Sequence, residues 1–387
     1  MKLIEGKYTT AKAFITNNAE TNLEQHAEAQ IKQLCDLPIS EGSQIRVMPD
    51  VHSGAGCVIG LTMIVGDKIM PNLVGVDIGC GVMVAKFKPK KRRLDLVELD
   101  GAIKKRVPSG FSVRDKVHSF VEDIEFENLR CLKHINRERA ELSIGTLGGG
   151  NHFIEVSKDE QDYYYLTVHS GSRHFGLEIA NWYLKRGQEE LKERGINDVP
   201  HELTYLTDEA KDDYIHDLKI AQKYAYLNRL AIISSISKEV GLDVEDVWES
   251  VHNYVDFEHD VPILRKGSIS ARNRERVIIP INMRDGVILG TGLGNPDWNY
   301  SAPHGAGRIM SRTQAKNSFT VSAFKKEMNG IFSTCVNEST LDESPFAYRN
   351  IDDIIEVIGE TVKVDKIIKP IYNFKASEVQ AWQKGRK

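Results

Sequence analysis

Five short segments of the chain each present a potential metal ligand or nucleophile, most of them beside glycine. They are Asp77-Ile78-Gly79-Cys80, Gly148-Gly149-Gly150-Asn151-His152, His169-Ser170-Gly171-Ser172-Arg173, His252-Asn253 and Pro303-His304-Gly305-Ala306-Gly307-Arg308. Glycine lets the backbone turn sharply and approach a ligand closely. Imidazole, thiolate and carboxylate are groups that bind divalent transition metals. Together the segments predict a metal centre assembled from distant strand ends and loops.

Two of these segments are weak evidence when taken alone. Asp77 and Cys80 lie three positions apart around a glycine, so both can reach one metal ion, and a thiolate can also bridge two ions. A turn aspartate beside a buried cysteine is nevertheless the more frequent outcome for such a pair. His252, followed by Asn253, is by itself more typical of a polar residue satisfied by a hydrogen bond.

The segments around His152 and His169 are more informative. His152 follows three glycines and precedes the strand-like run 153–156. Consecutive glycines are costly in backbone entropy, so they indicate a close approach, such as a cradle of amides for phosphate; a mobile hinge is the alternative. His169 ends the strand-like run 163–168 and leads towards Arg173, an arrangement that suits a metal beside bound phosphate.

His304 lies in a segment with almost no side-chain bulk, followed by Arg308. The arrangement exposes a ring nitrogen to a large substrate and offers amides and a guanidinium to its phosphates. The histidine can therefore be a metal ligand, a general base or a nucleophile. A histidine without a chemical role in a glycine loop is equally consistent with this segment.

The elements that position these residues are read from periodicity and turn signals. Helices are predicted at 22–35, where Thr21 and Glu24 are spaced as a capping box, and at 173–194, 208–241, 321–328 and 351–362. Strands are predicted at 44–48, 58–65, 72–87, 251–257, 277–281, 287–289 and 364–374. No internal repeat or obvious linker separates the candidate residues, so the pattern predicts one interwoven domain over residues 1–387, with 375–387 as an exposed tail.

The composition limits the classes of partner. The formal net charge is -4, which gives the chain no general attraction for polyanions. The strongest basic cluster, at 86–93, is typical of a solvated loop. It becomes a candidate phosphate-contacting surface only if the site acts on nucleic acid.

The cysteines and apolar runs predict a cytoplasmic protein with no membrane partner. The chain has five cysteines without regular spacing, which indicates a reducing compartment in which Cys80 stays available as a thiolate. The N-terminus offers no signal-peptide apolar core, and no apolar run approaches the ~20 residues needed to span a bilayer. The sequence also lacks the motif of a conventional P-loop and the His-Glu-x-x-His motif of zinc peptidases.

The ordered set of motifs resembles the RtcB-type RNA-splicing ligases along nearly the whole chain. The matching segments are Asp50-Val51-His52-Ser53-Gly54, Gly75-Val76-Asp77-Ile78-Gly79-Cys80-Gly81, 148–155, 169–173, His252-Asn253, Arg265-Lys266-Gly267 and 304–308. The resemblance implies an α+β fold of a single RtcB-like domain, with mixed β-sheets around a deep metal and nucleotide site and helices outside. Single motifs are not specific, but their order is.

The resemblance also implies an activity, cofactors and partners. The implied enzyme uses GTP and two Mn²⁺ ions to join an RNA 3′-phosphate or 2′,3′-cyclic phosphate end to a 5′-hydroxyl end, in RNA repair or tRNA splicing. A histidine attacks the α-phosphate of GTP to form a covalent histidine–GMP, and by position this residue is His304. RNA with such ends and an accessory activating protein are the implied partners.

The roles implied for the remaining residues follow from the matched positions. The implied metal ligands, with Cys80 as the bridging atom, are Asp77, Cys80, His152, His169 and His252. The implied nucleotide contacts are Asn151, Glu155, Asn282, His304, Gly305, Ala306, Gly307, Tyr348 and Lys375. Arg173 and Arg308 are implied to face phosphate or RNA.

The chain departs from the family pattern at several positions, and these keep other functions in view. Ile281-Asn282-Met283 replaces the usual Gly-Ser-Met, Lys375-Ala376 replaces a final Lys-Gly, and Ala55 and Cys57 replace bulkier residues. The first alternative is a metal-dependent nucleotidyltransferase that caps 3′-phosphate ends, or a phosphoesterase without ligation. The second is a metal-loaded RNA-binding or partner-binding protein whose catalytic function has lapsed.

Overall fold

The fold combines three β-sheets with helices, and the computed structural model describes residues 1–15, 23–89, 93–259 and 261–376. The α-helices in these ranges are α1 (Gln25–Cys35), α2 (Pro71–Val74), α3 (Leu96–Arg106), α4 (Arg137–Ser143), α5 (Arg173–Glu193), α6 (Asp208–Val240), α7 (Arg312–Ser318), α8 (Val321–Glu327) and α9 (Ile351–Ile358). The strands are β1 (Lys2–Glu5), β2 (Thr10–Ala13), β3 (Ile45–His52), β4 (Ile59–Ile64), β5 (Gly81–Pro89), β6 (Phe153–Lys158), β7 (Tyr164–Ser170), β8 (Leu242–Val251), β9 (Asn253–Asp256), β10 (Ile263–Lys266), β11 (Ser268–Ser270), β12 (Arg276–Asn282), β13 (Gly286–Gly292), β14 (Ser301–Pro303) and β15 (Val362–Lys375).

The strands of these ranges form sheets in which sequence neighbours are often separated. One sheet has the order β1-β2-β3-β4-β10-β9, a small one pairs β11 with β14, and the largest has the order β12-β13-β15-β6-β7-β5-β8. The pair β2 and β3 is parallel, and the other strand pairs of the described residues are antiparallel. The architecture is therefore α+β with mixed sheets, which confirms the fold class expected from the sequence.

The ladder β6-β7-β5-β8 brings distant segments to one end of the largest sheet. His169 in β7 pairs with Phe153 at the start of β6 and with Val82 near the start of β5. Gly81, the first residue of β5, pairs with Val251, the last residue of β8. Residues just outside these strand ends must therefore meet, although up to 175 positions of sequence separate them.

Helices α5 and α6 pack beside this sheet and fill the largest core. Their buried positions follow three- and four-residue spacing, as in Tyr214, Leu218, Ala221 and Ala225 of α6. Such a stripe is the signature of a helix with one face in a core. Burial of this stripe fixes α6 against the strand ends described above.

Several predicted elements agree with the structure, and others do not: the helix predicted at 351–362 ends at Ile358, and β15 begins at Val362. Helices α5 and α6 match the predicted ranges to within a residue at each end. The predicted strand at 72–87 is wrong in its first half, because Pro71 begins the short helix α2 and Gly75 ends it with a φ of 95°. The strand β5 begins only at Gly81, since the chain turns between these points.

Some sequence expectations fall partly outside the described residues. Thr21 of the predicted capping box and residues 90–92 of the basic cluster lie outside them. Helix α1 begins at Gln25, and the residue before it, Glu24, makes no side-chain hydrogen bond that caps the helix. Lys375 and Ala376 are buried, so an exposed tail does not start before residue 377; residues 377–387 lie outside the described part. Within the described ranges, no helix has the length and apolarity needed to cross a membrane.

Candidate active site

Four of the predicted metal ligands converge at the end of the largest sheet. The Sγ of Cys80 lies 3.5 Å from Nε2 of His152 and 3.2 Å from Nε2 of His169. The Nε2 of His169 lies in turn 3.3 Å from Nε2 of His252. All four side chains are buried. The strand register explains the cluster, because each residue lies in or next to a paired strand end.

Asp77, the remaining predicted ligand, lies at the more open side of the same cluster. Its Oδ2 is 2.9 Å from Nε2 of His152, while its Oδ1 is buried without a hydrogen-bond partner. Its side chain is 28% exposed, so this side of the cluster reaches solvent. We name the five side chains of Asp77, Cys80, His152, His169 and His252 the ligand cluster.

The hydrogen bonds of two histidines orient lone pairs into the ligand cluster. The Nδ1 of His152 lies 2.9 Å from the carbonyl oxygen of Leu147, and that of His169 lies 3.1 Å from the carbonyl oxygen of Asn151. A carbonyl accepts only from a protonated Nδ1, so in the neutral imidazole each Nε2 carries a lone pair directed at the other donors. Lone pairs this close repel one another unless a cation lies between them, so the donor set fits a metal ion.

Burial also favours the neutral imidazole that a metal requires. It lowers the pKa of His169 and of His252 well below the usual histidine value, and neighbouring imidazoles add to the effect. Burial raises the pKa of the Cys80 thiol, with Asp77 contributing, so a bound cation has to displace the thiol proton. Burial alone would raise the pKa of Asp77, but His152 and Arg173 outweigh it and hold that pKa at about 2.

His304 lies beside the ligand cluster and is held by a buried aspartate. Its Nδ1 is 2.6 Å from Oδ2 of Asp50, and the same oxygen accepts the backbone N–H groups of His304 at 3.0 Å and Gly305 at 3.3 Å. Its ring centroid lies 4.8 Å from that of His252. The Asp50 bond leaves the Nε2 of His304 as the ring atom that can react or bind.

A cavity of about 500 Å³ opens in front of His304. The predicted nucleotide contacts all line it, namely Asn151, Glu155, Asn282, His304, Gly305, Ala306, Gly307, Tyr348 and Lys375. His169, His252 and Arg308 line it as well, whereas Asp77, Cys80, His152 and Arg173 do not. The ligand cluster therefore separates this cavity from the side on which Asp77 and Arg173 lie.

Glu155 is a buried carboxyl group in the cavity wall. It accepts hydrogen bonds from the Ser157 hydroxyl at 2.6 Å and from the side-chain amide of Asn373 at 2.9 Å. Burial raises its pKa to about 7, although these hydrogen bonds and Lys375 act in the opposite direction. The group can therefore accept or donate a hydrogen bond near neutral pH.

A charged network around Glu343 forms another part of the cavity wall. Glu343 pairs with Lys375, accepts a hydrogen bond from the Tyr348 hydroxyl at 2.6 Å, and pairs with Arg312 at 2.7 Å and Arg308 at 3.3 Å. Burial would raise the pKa of Glu343, but Lys375 and Arg312 outweigh it and bring that pKa to about 2. The network fixes Lys375 and Tyr348 with their polar groups at the cavity.

Asn282 lines the cavity, but its amide is already occupied. Its Nδ2 donates to Asp285 at 2.8 Å, and its Oδ1 accepts from the backbone N–H groups of Arg284 at 3.0 Å and Asp285 at 2.9 Å. These bonds close the hairpin between β12 and β13. A nucleotide contact by this side chain therefore requires it to give up a turn contact.

Arg173 lies behind His152, away from the cavity. Its guanidinium donates to the carbonyl oxygen of Gly110 at 3.1 Å and to the hydroxyl of Thr146 at 3.3 Å. Its Nη1 is 3.4 Å from Nδ1 of His152. Arg173 and Arg308 thus lie on different sides of the ligand cluster, so they are suited to contact different phosphates.

Sequence reasoning missed several residues of the cavity. Glu343, Arg312 and Asn373 line the cavity and had no predicted role, and neither had Asp50, which is outside the lining and holds His304. None of these four has a glycine neighbour, which was the signal in most of the segments singled out from the residues alone. The adjacent acids Asp342 and Glu343 close to Tyr348 were the available sequence signal for the charged network.

A buried cluster of cysteine and histidine side chains, of a kind that could hold a metal ion, lies beside this cavity. A family model described as "tRNA-splicing ligase RtcB" matches residues 30–132 and 121–376. The chain therefore belongs to the RtcB family.

Curated relatives match most of the chain. The RNA-splicing ligase RtcB of Escherichia coli strain K12 is 32% identical, over 88% of this chain and 92% of the relative. The tRNA-splicing ligase RtcB of Aeropyrum pernix is 28% identical, over 80% of this chain and 83% of the relative. The tRNA-splicing ligase RtcB of Pyrobaculum aerophilum is 26% identical, over 84% of this chain and 85% of the relative. The similarity thus extends across both the ligand cluster and the cavity.

Proposed function

We propose that the protein is a GTP-dependent and manganese-dependent RNA ligase. It joins an RNA 3′-phosphate or 2′,3′-cyclic phosphate end to a 5′-hydroxyl end, in RNA repair or tRNA splicing. The observation that carries the proposal is the placement of His304, whose Nε2 is free at the boundary between the ligand cluster and the cavity while Asp50 holds Nδ1 at 2.6 Å. The names of the relatives support the ligase class.

The ligand cluster would hold two Mn²⁺ ions. Asp77, Cys80, His152, His169 and His252 would hold the ions, and Cys80 would be shared among them, since its Sγ lies within 3.5 Å of the Nε2 atoms of both His152 and His169. When bound, the ions would neutralise the triphosphate and polarise the attacked phosphorus. Aspartate and histidine suit Mn²⁺, and the thiolate also suits softer metals, so the native ion depends on supply as well as on the ligands.

The cavity would hold GTP with its α-phosphate towards His304. Gly305, Ala306 and Gly307 leave room for the nucleotide beside His304. Guanine presents two N–H donors on one edge and a carbonyl acceptor beside them. The Glu155 carboxylate and the Lys375 ammonium complement that edge of the base. Asn151 and Tyr348 contact the other parts of the nucleotide. Asn282 contacts the nucleotide when its hydrogen bonds in the β12–β13 turn break.

In the first step Nε2 of His304 forms a bond to the α-phosphorus of GTP. The bond from that phosphorus to the bridging oxygen breaks, and pyrophosphate leaves with the electron pair. Because the ring proton stays on Nδ1, the product is a positively charged imidazole–GMP, and the carboxylate of Asp50 stabilises this charge. Asp50 therefore both orients the ring and complements the charge that develops on it.

In the later steps the RNA replaces His304 on the phosphorus. An oxygen of the RNA 3′-phosphate attacks the guanylyl phosphorus and releases Nε2; a cyclic end must first be opened by water to that 3′-phosphate. The 5′-hydroxyl then attacks the 3′-phosphate, loses its proton, and displaces GMP as the strand is sealed. Arg308 on the cavity side and Arg173 on the Asp77 side are the proposed phosphate and RNA contacts.

The proposed setting is the cytoplasm, with RNA, GTP and an accessory activating protein as partners. All five cysteines are free and buried, and Cys80 has to act as a thiolate. A reducing compartment preserves such a thiol.

The first test is incubation of the purified protein with Mn²⁺ and α-labelled GTP, followed by denaturing electrophoresis. We expect a labelled protein band that is lost in mild acid, as a histidine phosphoramidate is, and that is absent from His304→Ala at unchanged metal content. A band retained in His304→Ala would refute the assigned nucleophile. ATP in place of GTP tests the choice of base.

A second assay distinguishes ligation from the related reactions. It uses an RNA with a 3′-phosphate and a second RNA with a 5′-hydroxyl. A sealed strand supports the ligase. A guanylylated end without sealing would indicate a capping nucleotidyltransferase, and a bare 3′-hydroxyl would indicate a phosphoesterase.

A further inference from the structure

Helix α6 carries a buried polar face next to its apolar stripe. Asn228 and Arg229 are both 0% exposed. Burial of an amide and a guanidinium costs free energy unless their hydrogen-bonding groups are satisfied. The hydrogen-bond partners of both side chains are main-chain and side-chain groups of the segments that carry the ligand cluster.

Arg229 joins the segments that carry Cys80 and His169. Its Nη1 donates to the carbonyl oxygen of Gly79 at 2.7 Å and to that of Ser170 at 2.8 Å. Gly79 directly precedes Cys80, and Ser170 directly follows His169. Its Nε and Nη2 donate to one oxygen of Glu249, at 3.0 and 2.8 Å. The planar guanidinium can make these bonds together, whereas an ammonium has a different geometry.

Asn228 joins the segment before His152 to the same strand end. Its Oδ1 accepts from the backbone N–H groups of Gly145 at 2.8 Å and Thr146 at 3.1 Å. Its Nδ2 lies 3.0 Å from both the Ser170 hydroxyl and the carbonyl oxygen of Gly171, and 3.1 Å from the carbonyl oxygen of Thr146. The amide thus ties the loop before His152 to the segment after His169.

The Ser170 hydroxyl extends this connection to His152 itself. It donates to the carbonyl oxygen of Leu147 at 2.8 Å, the same oxygen that lies 2.9 Å from Nδ1 of His152. One helix turn earlier in α6, Ala225 packs against Gly79, where a Cβ would lie 2.8 Å from that of Ala225. The same helix face therefore contacts residues next to Cys80 and His169 directly and reaches His152 through Ser170 and Leu147.

We propose that Asn228 and Arg229 are positioning residues of the metal centre, which hold the segments bearing Cys80, His152 and His169 in metal-binding register before an ion arrives. This inference rests on the proposed metal-binding function of the ligand cluster. It assigns to α6 a role beyond filling the core. Preorganised ligands need no ordering when the ion binds, so loss of either residue weakens metal affinity.

The test compares the metal affinity of the wild-type protein with that of Arg229→Gln and Asn228→Ala. Calorimetric titration with Mn²⁺ alone gives the affinity. Titration with Co²⁺ alone gives the thiolate-to-cobalt charge-transfer band, which reports whether Cys80 still binds. We expect affinity to fall by roughly 10- to 100-fold and the band to weaken or shift. Arg229→Lys, which keeps the charge and one bond, should recover part of the affinity.

Asp217→Asn is the matched control on the same helix. Asp217 is also 0% exposed and accepts from the backbone N–H groups of Arg130 at 2.9 Å and Cys131 at 3.0 Å and from the Tyr183 hydroxyl at 2.8 Å. None of these partners belongs to a ligand segment. We expect this variant to melt at a lower temperature but to bind Mn²⁺ and Co²⁺ as the wild type does.

Glu249→Gln tests the same inference without removing a core side chain. The Glu249 side chain is 23% exposed, and its replacement weakens only the hydrogen bonds that Nε and Nη2 of Arg229 donate to it. We therefore expect a folded protein whose metal affinity falls less than in Arg229→Gln. Folded variants with wild-type affinity and cobalt spectrum would overturn the positioning role and leave the metal centre intact. A wild-type protein that binds neither ion would overturn the metal centre and this inference together.

Discussion

The Nδ1 of His304 and the Oδ2 of Asp50 are 2.6 Å apart, although the two residues are separated by 254 positions of sequence. Asp50 lies near the end of β3 and is 0% exposed, and His304 directly follows β14. The other carboxylate oxygen, Oδ1, is buried without a partner. The pair therefore has one strong contact, and that contact determines which ring nitrogen of His304 carries the proton.

Asp50→Asn should reduce guanylylation with little change in shape. The amide oxygen can take the place of Oδ2 and keep its backbone contacts, but it lacks the negative charge that stabilises the positive charge developing on the His304 ring. We expect the rate of covalent labelling by α-labelled GTP to fall by roughly 10²- to 10⁴-fold.

Metal content and the circular dichroism spectrum are the controls for Asp50→Asn, and both should match the wild type. A labelling rate within a few-fold of the wild type would show that His304 does not depend on the negative charge of Asp50. A change in nucleotide affinity with an unchanged labelling rate at saturation would argue for a role in the cavity wall instead.

Cys80→Ser should weaken manganese binding by more than about 10-fold, because it removes the thiolate that lies within 3.5 Å of two histidine nitrogens. Manganese per chain after dialysis and calorimetric titration measure the effect. Cys35→Ser is the control, since Cys35 is also buried but belongs to the core near α1. Equal affinities in the two variants would exclude Cys80 as a ligand.

The sequence predicted the components of the site better than their arrangement. Glycine-containing segments pointed to Asp77, Cys80, His152 and His169, and the family resemblance added His252. The structure brings the five side chains together, and their role as metal ligands stays a prediction. Their meeting depends on the pairing β6-β7-β5-β8, in which β8 follows a 33-residue helix, and no local pattern encodes such pairing. Helix α6 was predictable because its apolar stripe repeats over many turns.

The errors have specific physical causes. The run 72–87 is rich in valine, which favours a strand, but Pro71 is suited to the first turn of a helix and Gly75 adopts a positive φ, so the chain turns before β5. The polar face of α6 was overlooked because an asparagine and an arginine in a helix are typical of an exposed surface. Only the tertiary structure reveals that Asn228 and Arg229 are buried against ligand segments.

Glu155→Gln should stabilise the nucleotide-free protein above neutral pH. Burial raises the pKa of Glu155 to about 7 from 4.5, so between these values the folded protein binds more protons than the unfolded chain. The contribution of protonated Glu155 to the free energy of unfolding is therefore fully present below pH 4.5 and is lost as pH rises through about 7. The loss is about 3 kcal/mol at most, since one pKa unit corresponds to about 1.4 kcal/mol.

Thermal unfolding of both proteins between pH 5 and 8.5 checks this expectation. The melting temperature of Glu155→Gln relative to the wild type should rise with pH across the window, while its affinity for GTP should fall because glutamine lacks the carboxylate acceptor. A difference in melting temperature that does not change with pH would mean that Glu155 is already ionised well below pH 7.

Gly307→Ala should destabilise the loop after His304. Gly307 has a φ of 74°, and a Cβ there would lie 2.4 Å from the carbonyl oxygen of Asp50 and 2.3 Å from Nη1 of Arg349. The backbone of Asp50 cannot yield without moving its bond to His304, so labelling by GTP should fall together with stability. We expect a loss of about 1–3 kcal/mol in the free energy of unfolding.

Gly359→Ala provides the comparison for Gly307→Ala, because Gly359 has a helical φ of -57° and nothing lies within 4 Å of a Cβ placed there. That variant should be neutral or slightly stabilising, since alanine restricts the unfolded chain more than glycine does. Chemical denaturation and the labelling assay measure both variants. If Gly307→Ala labels at the wild-type rate, the loop can shift without disturbing the Asp50–His304 pair, and the tight approach at Gly307 serves stability alone.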